Sequence, residues 1–318
     1  MTLRINSHLI VLTLFIIMTC LLPFIPIPFY IIHIVATSFL FAYLCTSWSI
    51  ISGFAGQVSL GHSSFIGIGA YSFAIIMRHG MNPIFGVLTG VIMAIFTSLI
   101  LGYACFRFGV RGPYFTFATM AFCEALYLAT IALKEITGGS LGITTSLKIS
   151  FIPISIKIVS YYLVMAVFLL SVFLVRRIYF SKFGYYLMAV REDEDAAAAC
   201  GINVLKIKMM AICLSAVLSA LGGSLYAMYY GYITPDGVLS LSLSFQIATF
   251  SLVGGAKIWF GPMIGALLVT PITEVFRFLV GGVYTGVPLL CYGCLILIIA
   301  RFAPGGISSI ILRRGKLK

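Results

Sequence analysis

The sequence predicts an all-α membrane protein of about ten transmembrane helices, with both termini cytoplasmic and one transmembrane domain over residues 1–318. Composition, length and charge placement each point there. The chain is 61% hydrophobic and 9% charged. A soluble domain carries ~45–50% apolar and ~25% charged residues. This chain has too little polar surface to cover a soluble globule, which excludes a water-soluble enzyme, a secreted disulfide scaffold and a disordered chain. At ~20 residues per crossing, the apolar supply serves about ten crossings and leaves no soluble domain over. The net charge of +12 would point to nucleic acid in a soluble protein. Here the basic residues fall in loops and ends, where they report orientation across a lipid bilayer rather than a nucleic-acid partner.

The predicted spans follow from apolar runs bounded by charge, Gly or Pro. They are about Leu9–Leu22, Phe29–Ile51, Gly53–Met77, Ile84–Phe106, Pro113–Leu133, Val159–Val175, Met209–Tyr232, Leu243–Gly255, Trp259–Val280 and Val287–Ala300. The first is read as a retained span, because no small-residue cleavage site follows it. With the N-terminus inside, alternation leaves only Arg78, Lys134, Lys148 and Lys157 outside and Arg277 within a span. The other fifteen of the twenty basic residues fall inside. Losing one span would reverse the tail or the central loop, so this asymmetry supports ten spans.

Ten spans divide into two halves of five that start on opposite sides, a candidate inverted five-helix repeat. The Gly-broken third span and the short eighth occupy matching places. In transporters, Gly-interrupted segments so placed tend to line the pathway. Irregular backbone at membrane depth is tolerated where protein or a water-filled cavity surrounds it. Gln57, Ser59 and His62 in Gly53–His62 are therefore candidate pathway residues, the alternative being a short loop before an ordinary helix. Glu124, midway along the fifth span with no partner in its own helix, joins them, the alternative being a pairing with another helix. Glu274 has Arg277 at i+3 and reads as a self-satisfied pair. Ser215, Ser219 and Gly223, like Gly86 and Gly90, place small residues one turn apart and read as helix packing. Residues 134–157 form an external loop with the turn-rich run Gly138–Gly142.

Charge concentrates in the internal loop, about Arg176–Lys208. Acidic residues after Arg191 complement a helix start. Four alanines favour the helix itself, and Gly201 suits its end. The expected object is a short surface helix with a small-residue face that a partner protein can approach. Its named residues are Arg191, Glu192, Asp193, Asp195, Ala196, Ala197 and Gly201.

The eight cysteines mostly sit in apolar runs and read as small hydrophobes. No GxxxxGK[ST] loop occurs, since Ile310 stands where a glycine would precede Gly315-Lys316. Neither a metal motif nor a catalytic triad is expected from the scattered His8, His33, His62 and His79. The chain is therefore read as binding no cofactor and catalysing nothing, and any ATP it uses must be hydrolysed by a separate subunit.

Ser59-Leu60-Gly61-His62 followed by Phe65–Tyr71 resembles the signature of LivM-type permeases, the membrane subunits of branched-chain amino acid ABC importers. Three further stretches are similar to the same family. They are Arg111–Phe115 with Thr119 and Glu124, Ala189–Glu194 through Ala196-Ala197 and Gly201-Ile202, and Gly254-Gly255 with Gly261-Pro262 and Gly265-Ala266. Lys257 departs from the small or polar residue usual in that last turn. The matches run in family order from about Ser47 to Ala266.

The resemblance implies a bacterial inner-membrane protein with several partners. They are a second homologous permease, two cytoplasmic ATPase subunits and a periplasmic or lipid-anchored substrate-binding protein. It also implies that residues 183–208 are the coupling loop, with its helix at about Glu192–Gly201 in an ATPase cleft. Branched-chain amino acids are the implied solute. Urea or a short-chain amide carried by the same machinery is an alternative. So are a proton- or ion-coupled transporter using Glu124 or His62, and a passive channel.

Overall fold

The computed structural model of the chain describes residues 18–24, 28–145, 156–280, 293 and 305–309. Most of the first predicted span, and the last, lie outside these residues. Each of the other eight predicted spans is a helix. These are α1 (Phe29–Ser49), α2 (Ser63–Arg78), α3 (Pro83–Arg107), α4 (Pro113–Ala132), α5 (Ile156–Tyr179), α8 (Val204–Tyr230), α9 (Leu241–Gly254) and α10 (Gly261–Val280). Between α5 and α8 lie α6 (Lys182–Glu192) and α7 (Glu194–Ala199). Six segments are long and apolar enough to cross a bilayer: Phe29–Phe54, α3, α4, Lys157–Tyr179, α8 and Pro235–Gly254. The chain is thus an all-α, multi-pass helical protein. One small departure is a two-residue antiparallel pairing, β1 (Ile143–Thr144) with β2 (Tyr232–Ile233). It ties the predicted 134–157 loop to the end of α8.

The helix ends follow local chemistry. Asn82 caps α3 by accepting from Ile84 N at 3.0 Å, with Pro83 next. Asn203 and Ser240 cap α8 and α9 by accepting from Lys206 N at 3.0 Å and Leu243 N at 3.3 Å. The sequence reading took Arg176–Lys208 as one loop with one short helix. In the structure α5 runs on to Tyr179, and α6 is an additional helix. Ser181 caps it by accepting from Gly184 N at 3.2 Å, and Gly184, Leu187 and Val190 form its buried face.

Two groups of helices make the body. In one, α8 packs on α2 and α3, which also pack on each other. In the other, α1 packs on α5, α9 and α10, and it also meets α8. The small residues expected to pack do so. A Cβ on Gly223 would overlap the carbonyl oxygen of Ile66, and one on Gly69 would overlap that of Ala220, so the α2 and α8 backbones are in contact. Helix α4 is different: 17% of its apolar window is buried, against 67% for Phe29–Phe54. It lies along the outside of the body.

The two ends of the bundle differ in charge. Arg107, Arg111, Arg176, Arg177, Arg191, Lys206, Lys208 and Lys257 gather at one end, with α6 and α7. Contacts hold that end together, with Arg176 over the Trp259 ring at 5.7 Å and Arg191 on Gly53. The opposite end carries β1, β2, Lys157 over Phe29 at 5.8 Å, and the expected Glu274–Arg277 pair at 3.1 Å.

The predicted broken span is broken. Helix α1 ends in a π-turn over Ile50–Phe54, and regular helix resumes at Ser63. Residues 55–62 between them are irregular, and Gln57, Ser59 and His62 are buried. Their depth follows from α9. Ser244 accepts from Ser63 N at 2.8 Å, and it lies ten residues before Gly254, the basic end of α9. At 1.5 Å per residue that is about 15 Å, half of a ~30 Å hydrocarbon core. The irregular strand thus runs from the basic end to mid-depth. Trp48, fully buried on α1, donates its indole N–H to Ser59 O at 2.7 Å. Trp48→Phe keeps an aromatic ring and removes that donor. A buried carbonyl left unsatisfied costs ~1–3 kcal/mol. The variant is expected to melt at a lower temperature than the parent in detergent thermal unfolding, with insertion retained.

Candidate functional site

The site is built around the irregular strand and α7. The strand's backbone groups are satisfied from several elements. Gln57 N donates to Ile51 O at 3.1 Å, and Ser59 N donates to Ser52 Oγ at 3.1 Å. From α4, Thr116 Oγ1 donates to Val58 O at 2.8 Å, and Thr119 Oγ1 accepts from Leu60 N at 3.2 Å. A Cβ on Gly61 would overlap the Thr119 carbonyl, so α4 and the strand lie backbone to backbone. His62 Nε2 lies 2.6 Å from Ser219 Oγ and 3.3 Å from Ser47 Oγ, and Ser219 Oγ donates to Ser215 O at 2.7 Å. The serines of α8 therefore serve polar bonds as well as close packing.

Helix α7 begins two residues later than expected. Asp193 breaks the chain at φ −157°, ψ 116° and caps α7, its Oδ1 accepting from Asp195 N and Ala196 N at 2.9 Å each. At the other end Gly201 takes φ 85°. Gly201 N donates to Ala198 O at 2.9 Å and Ile202 N to Ala197 O at 3.1 Å, a Schellman closure that needs the left-handed glycine. Glu192 belongs to the end of α6, not the start of α7. It is exposed and accepts from Arg191 Nη2 at 2.8 Å, and this hydrogen bond holds its carboxyl below the usual range. Ala196, Ala198 and Ala199 face outward, whereas Ala197 is 5% exposed and packs against the body.

Sequence reasoning missed Glu194, which is the centre of this end. Its side chain is largely buried. Oε2 pairs with Arg111 Nε at 2.9 Å, while Oε1 accepts from Gln57 Nε2 at 2.9 Å and pairs with Lys208 Nζ. Arg111 also reaches Asp195 at 3.2 Å. The Asp195 hydrogen bond, then the Glu194 charge, raise the Arg111 guanidinium above its ordinary value. Helix spacing was the usable signal, since Glu194 and Ala197 are i, i+3 and share the inward face. Arg191 Nη1 donates to Gly53 O at 3.0 Å, and a Cβ on Gly56 (φ 74°) would press on the Arg191 side chain.

The predicted pathway residues do not converge. Gln57 points to Glu194, Ser59 is held through its backbone, and His62 sits among serines of α1 and α8. Glu124 lies on the outer stripe of α4, exposed with Tyr114, Phe117, Ala121 and Leu128. Among the described residues no three metal-ligating side chains come together, and the six cysteines there are free thiols.

Residues 30–300 match the family model described as the permease component of branched-chain amino acid transport systems. The chain belongs to that family. It is a transport subunit, an integral multi-pass protein of the inner membrane. It is 25% identical to the high-affinity branched-chain amino acid transport system permease protein LivM of Escherichia coli, over 90% of this chain and 72% of that protein. The corresponding LivM of Salmonella typhimurium is 24% identical over the same shares. A probable LivM of Methanocaldococcus jannaschii is 24% identical over 71% of this chain and 70% of its own length. No solved structure gives a significant match.

Lys208 is 3% exposed and is the buried counter-charge of Glu194. Removing one partner of a buried pair costs ~3–5 kcal/mol. Lys208→Met is expected to loosen α7, read as faster hydrogen exchange over residues 194–202 than in the parent.

Proposed function

We propose that this subunit moves branched-chain aliphatic amino acids into the cytoplasm as part of an ABC importer. The observation that carries this reading is α7. It is a short, capped helix at the basic end, with small side chains outward and its acidic N-terminal turn fixed to the body. The positive-inside rule makes that end cytoplasmic. ATPase subunits would dock on Ala196, Ala198, Ala199 and the flanking charges of residues 183–208. Ten spans with both termini cytoplasmic, arranged as inverted halves, complete the topology.

A second, homologous permease would cover the outer stripe of α4. An unpaired carboxylate at mid-span is costly against lipid, at least ~2.5 kcal/mol, and comfortable against a partner or a wet cavity. Glu124 is the twelfth of the twenty residues of α4, and it is exposed. We place the pathway along this stripe, with the strand carrying Gln57, Ser59 and His62 directly behind it. A binding protein would deliver solute at the opposite end. ATP would be hydrolysed only by the docked subunits.

Co-expression of the chain with the ATPase and permease subunits of its own host, followed by ATP-driven uptake of labelled leucine and urea into proteoliposomes, tests the assignment. Leucine uptake is expected; urea uptake alone, or uptake without ATP, rejects it. Ala198→Arg is expected to abolish co-purification of the ATPases while leaving membrane insertion intact. Ala197→Arg would instead disrupt the chain's own packing. Glu124→Gln is expected to lower uptake several-fold at matched protein levels; parental uptake would make Glu124 structural.

A further inference from the structure

We infer that the Gln57–Glu194 hydrogen bond transmits movement of α7 to the irregular strand, making Glu194 a positioning residue for transport. This rests on the proposed docking of ATPases at α7. The two ends of the link are unequal. Outward, α7 offers alanines. Inward, Glu194 gathers three cross-element partners, Arg111 ahead of α4, Lys208 on α8 and Gln57 on the strand. Arg111 and Lys208 tie α7 to the ends of regular helices. Gln57 is the partner on the irregular segment 55–62, which enters the body toward mid-depth without a helix of its own.

The strand has little slack. Gly53 meets the Ala256 backbone, Gly56 meets Arg191, and Gly61 meets Thr119, each so closely that a Cβ has no room. Arg191, next to the α7 cap, holds Gly53 O at the strand's start. Displacing α7 therefore pulls directly on the segment through Glu194 on Gln57, while Arg191 of α6 holds the preceding π-turn at Gly53. At the strand's far end, Ser63 reaches Ser244 of α9 at mid-depth, and Thr116 and Thr119 hold α4 to its middle. A pull at the basic end is delivered to the inner side of the helix whose outer stripe carries Glu124. Among the described residues Gln57 Oε1 has no hydrogen-bond partner, and Glu194 is the anchor of this buried amide.

The test uses the whole assembled transporter in proteoliposomes and reads solute taken up per ATP hydrolysed. Gln57→Met removes the donor while leaving the Glu194 charge pairs intact. Glu194→Gln keeps an acceptor but loses the charge. Each is expected to lower uptake per ATP about tenfold, within the usual range of coupling between sites. The double variant is expected to be no worse than Glu194→Gln alone, because Gln57 acts only through Glu194. Subunit co-purification of Gln57→Met is expected to match the parent. Unchanged uptake per ATP in Gln57→Met, or losses that multiply in the double variant, would overturn the inference while leaving the docking assignment standing. A parent chain that captures no ATPase would overturn both.

Discussion

An irregular backbone carried to mid-membrane depth must have its polar groups satisfied by protein, since lipid offers no hydrogen bonds. Residues 55–62 impose that requirement here, and much of the architecture answers it. Trp48 and Ser52 of the preceding helix, Thr116 and Thr119 of α4, and Ser244 of α9 each supply one bond to the segment or its immediate end. Three helices are thereby registered around one segment by hydrogen bonds rather than by apolar packing alone. Between apolar helices in a membrane such bonds carry much of the specificity, because lipid tails compete equally well for greasy surface.

The same requirement explains the uneven burial of the helices. Of the helices that satisfy the segment, α1 and α9 are the more enclosed. Helix α4 holds the segment through Thr116 and Thr119, buries Phe115, Thr119 and Cys123, and leaves its outer face exposed. A helix with one polar job inward and a carboxylate outward is suited to lie between the body and something that is not lipid. The proposed second permease would give that surface a purpose, and the proposed ATPase docking would give one to the small capped helix at the basic end.

Much of this was legible in the sequence. Apolar runs located eight helices because membrane spans are the strongest periodic signal a chain can carry. The broken third span was visible as Gly, Gln, Ser and His in sequence that lipid would not accept. The Glu274–Arg277 pair was visible from i, i+3 spacing. Side chains whose roles depend on distant elements were hidden. Glu194 looked like one of four interchangeable acids, and only folding shows it meeting Arg111, Lys208 and Gln57 from three other parts of the chain. Ala197 looked like its neighbours, and one turn of helix geometry decides which alanine faces in. Helix α6 was masked by its charge content, although Gly184, Leu187 and Val190 already had helical spacing.

The outward carboxylate of α4 has a consequence for how many copies a cell can keep. A solitary copy in the bilayer holds Glu124 against acyl chains or must drag water and headgroups toward it, whereas a copy covered along that stripe does not. In the proposed assembly, covering that stripe would stabilise the chain by mass action, and surplus copies would be the ones left strained. With the proposed partner, subunit balance would then be set by one helix face.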